Sequence, residues 1–285
     1  MNQPTKGAVL VTGASVGIGR AVALLLDRSG YRVFAGVRRT VDAEALRQAA
    51  SGRMTPVALD ITDPSQIAEA IATVESAIGP DEGLAALVNN AGVVVAGPLE
   101  FLPLDEIRRV LDINVVGQVA MIQAALPLLR KGAHGRIVQI TSAARHFGMP
   151  FMGAYVASKA GMGAACDTLR RELRSEGIAV SEVLPGIVRT PMWEKYRAPA
   201  DRLQASMPES ARRQAEQFAK GRALSDNLLG RGSSPESIAK VVLRAVKARR
   251  PRTHYRAGMD ARFALLVPHL MPAWILDWFV DRTLR

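Results

Sequence analysis

Tyr155 and Lys159 stand four residues apart. On a helix that spacing puts both side chains on one face. A phenol titrates near pH ~10 on its own. A neighbouring ammonium lowers that value and turns the phenol into a usable acid or base near neutral pH. Ser142 directly follows an apolar run, residues 135–140, and its hydroxyl could hold a substrate oxygen beside Tyr155. Asn114 lies in the middle of a long apolar helical stretch, where an amide needs a partner. It could bind water or a backbone carbonyl and link Lys159 to solvent. Taken alone, the Tyr-x-x-x-Lys pair is better read as a surface pair on an amphipathic helix.

A second group of residues suits a phosphate-bearing ligand. The first apolar run, residues 8–11, ends in Thr12-Gly13-Ala14-Ser15-Val16-Gly17-Ile18-Gly19. Glycines at 13, 17 and 19 allow a tight turn and a close approach of backbone to pyrophosphate, with Ser15 and Ile18 between them. The helix that follows offers free N–H groups and the positive end of its dipole. The next strand ends in Val37-Arg38-Arg39. An acid there would bind the adenosine ribose hydroxyls; Val37 takes that place instead, and Arg38 suits a 2′-phosphate. This favours NADP(H) over NAD(H). Asp60-Ile61 closes the third strand, where the acid can meet an adenine amino group, although capping the next helix is an alternative use. Asn90-Ala91-Gly92 closes the fourth strand and can pass close under a cofactor.

The elements that must position these residues alternate regularly. Strands are expected over 8–11, 32–37, 56–59, 84–88, 135–140 and 179–184. Helices are expected over 19–29, 43–50, 64–78, 104–130, 154–175 and 235–248. Asp63 is a good N-cap for the third of them. Alternation of this kind implies a doubly wound parallel sheet covered on both faces, a Rossmann-like α/β fold, with right-handed crossovers. No linker interrupts it, so residues 1–285 read as one domain. Its cofactor-binding core spans about 7–188, a polar substrate-covering region about 189–233, and a helix, a strand and an apolar tail the remaining 234–285.

Bulk composition narrows the functional classes. Of 285 residues 48% are hydrophobic and only 5% aromatic, so the core must be aliphatic. The formal charge is +11, but the dense run Lys247, Arg249, Arg250 and Arg252 has no aromatic residues interleaved, so nucleic acid is not an expected partner. Four scattered histidines and one cysteine offer no metal-ligand cluster. Cys166 sits among small residues and reads as a buried inert thiol. The first residues lead into a strand without a basic-then-apolar signal, so the cytoplasm is the expected compartment.

In ordered combination these motifs resemble the short-chain dehydrogenase/reductase family. Thr12-Gly13-x3-Gly17-x-Gly19, Asp60, Asn89-Asn90-Ala91-Gly92, Asn114, Ser142, Tyr155-x3-Lys159 and Pro185-Gly186 follow its pattern. The resemblance implies an oxidoreductase with a nicotinamide cofactor and an Asn114-Ser142-Tyr155-Lys159 tetrad. It implies that Lys159 also bonds the nicotinamide ribose, that Pro185, Gly186 and Ile187 line the nicotinamide, and that Thr190 lies near its carboxamide. A homodimer or homotetramer through the long helices follows from the same resemblance. Val16, where many NADP-using members carry a basic residue, and Ala85, in place of an acid, depart from the pattern. The complete tetrad argues against the rival reading, a cofactor-binding scaffold with little turnover. Strand 33–37 and the Trp-containing tail are similar to the steroid and retinol dehydrogenase subgroup, which implies a lipophilic alcohol or ketone as substrate. Arg145, His146, Phe147, Met149, Phe151 and Met152 are expected to edge the substrate pocket. The tail, 263–280, is expected to wall that pocket, with peripheral membrane contact as a second use.

Overall fold

Aliphatic runs too short for helices become strands, and longer amphipathic stretches become the layers that cover them. The structure, a computed structural model, describes residues 6–132, 134–258, 261 and 272–284. Among them seven strands form one parallel sheet: β1 (Ala8–Val11), β2 (Arg32–Val37), β3 (Met54–Ala58), β4 (Leu84–Asn89), β5 (Arg136–Ile140), β6 (Ala179–Pro185) and β7 (His254–Ala257). Their spatial order is β3-β2-β1-β4-β5-β6-β7. The chain reverses its direction of travel across the sheet between β1 and β4, and a crevice opens there beyond the carboxyl ends of the strands.

Alternate residues of each strand feed two cores. Val9, Val11, Val33 and Val183 pack against α1 (Gly17–Arg28), α2 (Thr40–Ala49) and α10 (Pro235–Lys247). Leu10, Phe34, Leu87 and Ile137 face α3 (Pro64–Ile78), α5 (Gly117–Lys131) and α6 (Gly153–Glu172). Asp63 caps α3 as its position implies, accepting hydrogen bonds from Ser65 N and Gln66 N. Cys166 is buried in the second core, and burial pushes its thiol up to about 12.

The long stretch expected over 104–130 is interrupted. It consists of α4 (Leu104–Leu111), one π turn (Asp112–Val116) and α5. The π turn contains Asn114, and turns of this kind often mark functional positions. The polar stretch after β6 is helical as well: α7 (Met192–Lys195), α8 (Arg197–Ala205) and α9 (Arg212–Gly230). Three of its residues, Tyr196, Ala200 and Phe218, are buried together and hold these helices to Val94 and Ala96 beyond β4. In the tail, residues 262–271 lie outside the described residues. The described part, α11 (Ala273–Leu284), packs on α9, with Leu284 beside Gly221. It shares a shallow groove with Leu99 and Phe151, while Trp274, Trp278 and Phe279 remain exposed.

Candidate active site

A cavity of about 380 Å³ opens at the carboxyl ends of the strands. Its floor near β1 is the glycine turn. Gly13 and Gly17 hold φ of +64° and +57°, values that disfavour a side chain. Gly19 is forced by proximity, because a Cβ there would lie 2.2 Å from the Gly13 carbonyl oxygen. Thr12 Oγ1 accepts hydrogen bonds from Asn90 N at 2.9 Å and Ala91 N at 3.0 Å. Asn90 Nδ2 donates back to Thr12 O at 3.0 Å and Gly13 O at 3.1 Å. The amide of Asn90 therefore ties the ends of β1 and β4 together, while the residue still lines the cavity. Val16 precedes α1 and gives it no side-chain cap. The amino end of α1 thus presents N–H groups and a positive dipole end to the space the glycines leave open. A pyrophosphate fits that cradle.

Gly13, Ser15, Gly17, Ile18, Gly19, Arg38, Asp60, Ile61, Asn90, Ala91 and Gly92 all line this cavity. Pro185, Gly186 and Thr190 line it too; Ile187 is not among the lining residues, and its carbonyl accepts from Ser233 N at 2.8 Å. At the adenosine end, Asp42 engages Arg39 through two hydrogen bonds of 2.7 and 2.8 Å, which occupies that guanidinium. Arg38 is 3.7 Å from Asp60, beyond hydrogen-bond length, and its side chain is 63% exposed. Asp60 is partly buried, yet the Thr62 N–H and hydroxyl and Arg38 hold its carboxyl below the usual range.

At the other end the cavity reaches Ser142, Tyr155 and Lys159. Ser142 caps a 3₁₀ turn (Ala143–His146), its Oγ accepting from Ala144 N at 3.2 Å. α6 begins at Gly153, so Tyr155 and Lys159 sit on its first two turns. Lys159 Nζ donates to Ile140 O at 3.2 Å and lies 5.9 Å from the centre of the Tyr155 ring. Asn114 does not line the cavity. It is buried one layer behind, where its Nδ2 donates to Val93 O and Ser158 Oγ, both at 2.9 Å, and its Oδ1 accepts from Val93 N at 2.8 Å. A bond to a backbone carbonyl is one of the two uses expected of this amide, and Val93 O supplies it.

The electrostatics depart from the sequence expectation. Burial pushes the Tyr155 phenol above its usual value, and a hydrogen bond with Ser142 pulls it back in part. Burial also brings the Lys159 ammonium down to about 8, against the pull of the Glu182 carboxylate. In the protein alone, desolvation outweighs the effect of a positive charge one helical turn away.

Two further corrections concern the walls. Arg145, expected at the pocket edge, turns inward to the carboxylate of Glu182. Phe151 and Met152, also expected at the edge, do not line the cavity; they pack with Tyr155, Met192, Trp193 and the buried Phe218, and Phe151 lines the groove beside α11 instead. Phe151 takes φ 66° and its ring lies 5.2 Å from that of Phe218. Arg109, Met192, Trp193 and Lys195 also line the cavity and are not singled out by the sequence reading. The signal for Met192 and Trp193 is an apolar pair directly after Thr190-Pro191 in an otherwise polar stretch; Arg109 and Lys195 carry no such signal.

The sequence matches the family model described as short chain dehydrogenase over residues 7–201. It is 36% identical to the 3-amino-tetrahydro-pyrrolizinone reductase of Xenorhabdus hominickii, over 96% of this chain and 95% of that protein. It is 36% identical to mouse (Mus musculus) retinol dehydrogenase 5, over 96% of this chain and 89% of that one. It is 34% identical to Bos taurus 17-beta-hydroxysteroid dehydrogenase type 6, over 96% and 88%. Among solved structures, a short-chain dehydrogenase from Streptomyces avermitilis superposes with a TM-score of 0.78 at 27% identity, covering 99% of each chain. The chain belongs to the short-chain dehydrogenase/reductase family, oxidoreductases of CH–OH and C=O groups with nicotinamide cofactors, and within it to the subgroup of steroid and retinol dehydrogenases.

Proposed function

We propose that this enzyme prefers NADP(H) and interconverts a lipophilic alcohol and its carbonyl compound, with Tyr155 as the general acid or base. The observation that carries the reading is that Ser142, Tyr155 and Lys159 line one cavity, with Lys159 Nζ 5.9 Å from the centre of the Tyr155 ring. A bound nicotinamide supplies or takes up the hydride at the substrate carbon. In reduction, Ser142 donates a hydrogen bond to the substrate oxygen and Tyr155 delivers its proton there as negative charge develops. A phenol held above its usual value stays protonated at neutral pH, the form that reduction requires. Lys159, at about 8, is largely charged at neutral pH, and its charge, 5.9 Å from the Tyr155 ring centre, favours the phenolate that reduction leaves behind. In oxidation the phenolate takes the alcohol proton. Asn114 holds the Val93 backbone and Ser158 together, and so keeps α6 in place beside the loop after β4.

Arg38 supports the preference for NADP(H), because its guanidinium lines the cavity, 63% exposed and only loosely paired with Asp60 at 3.7 Å, while Arg39 is engaged by Asp42. Lys195 adds a second cation to the same lining. The apolar lining of Val93, Val94, Met192 and Trp193 supports a lipophilic substrate, as do the relatives named for retinol and a 17-beta-hydroxysteroid. Residues 189–233 cover the site in this reading. Exposed Leu104 and Val116 on the α4–α5 stretch support a homodimer or homotetramer. Exposed Trp274 and Trp278 support peripheral membrane contact by a cytoplasmic enzyme. Initial rates on a panel of lipophilic ketones and alcohols test the proposal. The expected result is turnover with kcat/KM favouring NADPH over NADH; absence of turnover across the panel, or a preference for NADH, would overturn it.

A further inference from the structure

Glu182 is a charged residue in the middle of β6 and only 1% exposed. Its Oε1 accepts from Thr141 Oγ1 at 2.5 Å. Arg145 Nη1 donates to its two oxygens at 2.7 and 2.8 Å. One carboxylate therefore grips the chain on both sides of Ser142, at the residue before it and at the residue three after. His254 Nε2, on β7, stands 3.3 Å from the second oxygen and braces it from the sheet edge.

The guanidinium of Arg145 also rests on α6, the helix of Tyr155 and Lys159. It occupies the space above Gly163, where a Cβ would lie 1.6 Å from Nη1. Asp167 of the same helix is 3.9 Å away. The pair thus touches the Ser142 turn, the sheet and α6 at once. A buried ion pair is a poor source of net stability, since desolvation offsets most of the attraction and apolar residues of similar volume often serve as well. What it does provide is geometry, because short charge-assisted hydrogen bonds fix both distance and direction.

We propose that the Glu182–Arg145 pair is a positioning device that sets the Ser142 hydroxyl against Tyr155 and Lys159, and so governs turnover rather than cofactor affinity. This rests on the reading of Ser142 and Tyr155 as the groups that hold the substrate oxygen. The glycine turn that cradles the cofactor lies at the end of β1, apart from this pair. Displacing a reacting group by about 1 Å can slow a reaction on the order of 100-fold.

Three variants separate positioning from stability. Glu182→Gln keeps the shape and removes the charge. Gly163→Ala leaves both partners but puts a methyl group where the guanidinium sits. Arg145→Met with Glu182→Met removes the pair altogether and leaves an apolar contact. Each is measured for kcat on a substrate the wild type turns over, for NADPH Kd by nicotinamide fluorescence, and for Tm; Tyr155→Phe is run beside them. All three should lose about 10- to 100-fold in kcat with NADPH Kd near the wild-type value. The double variant should do so with Tm at or above wild type. A double variant with wild-type kcat beside an inactive Tyr155→Phe would overturn the positioning role alone. Loss of NADPH affinity in step with kcat would make the pair a general packing element and overturn it as well. A fully active Tyr155→Phe would overturn the underlying reading, and this proposal with it.

Discussion

Replacing Lys159 by methionine tests the electrostatics of the site without any substrate. Lys159 is 5% exposed, and burial brings its ammonium from 10.5 to about 8. In the unfolded chain the amine keeps its ordinary value. Between those two values the unfolded chain holds a proton that the folded chain has released, so stability rises with pH across the window. Below pH ~8 the folded protein bears the whole penalty of a buried ammonium. At about 1.4 kcal/mol per pH unit, that penalty is on the order of 3 kcal/mol. Methionine is close in length and has no charge to desolvate. It gives up the bond to Ile140 O, 3.2 Å in the wild type, at every pH alike. The pH-dependent part of the difference therefore isolates the ammonium. Urea unfolding of both proteins, followed between about pH 7 and pH 10, should show the wild type gaining on the variant by roughly 2 kcal/mol over that range. Both proteins keep Cys166 and the tyrosines, so other titrations largely cancel in the difference. Curves that stay parallel within about 0.5 kcal/mol, inside the error of such extrapolations, would refute the reasoning that burial dominates at Lys159.

Other perturbations reach separate parts of the site. Arg38→Ala should weaken NADPH binding about 10- to 100-fold, the worth of a charged hydrogen bond of ~1.5–3 kcal/mol, and leave NADH nearly unchanged; fluorescence titration with both cofactors checks it. Gly13→Ala should destabilise the protein by at least ~1–2 kcal/mol, because the position holds φ +64° and the new Cβ would sit 2.8 Å from Ala91 Cα. Denaturant unfolding reads that loss, and cofactor affinity should fall with it. Asn114→Ala should leave both the N–H and the carbonyl of Val93 without their partner, lowering stability by about 1–3 kcal/mol. Its kcat should fall further than its NADPH affinity, since α6 loses a support and the glycine turn does not.

Much of the sheet can be read directly because short aliphatic runs in this chain have nowhere else to go. Residues 8–11 and 32–37 form strands at the expected limits, and Asp63 caps its helix where its type and position imply. The segment 189–233 misleads because its charges outnumber its anchors. Phe218 alone is fully buried in α9, and one aromatic among Arg, Glu and Gln does not mark a packed helix. The π turn at Asn114 has no sequence signature either, since it arises from packing that the residue types do not display. Arg145 reads as a pocket-edge residue because loop arginines usually face water. The clue to its burial lies elsewhere in the chain, in a glutamate within the apolar run Ala-Val-Ser-Glu-Val-Leu-Pro, which demands a buried cation. The raised value of Tyr155 depends on desolvation, a property of the assembled site rather than of the Tyr-x-x-x-Lys spacing.

The most direct test of Tyr155 as the proton-transfer group is the Tyr155→Phe enzyme, assayed for turnover and for NADPH binding in the same preparation. Phenylalanine keeps the ring among Met192, Trp193 and Phe151 and removes only the hydroxyl. Turnover should fall by about 10²- to 10⁴-fold, the usual contribution of a general acid or base, while NADPH Kd stays close to wild type. Near-normal turnover by Tyr155→Phe on a substrate that the wild type reduces well would contradict the account.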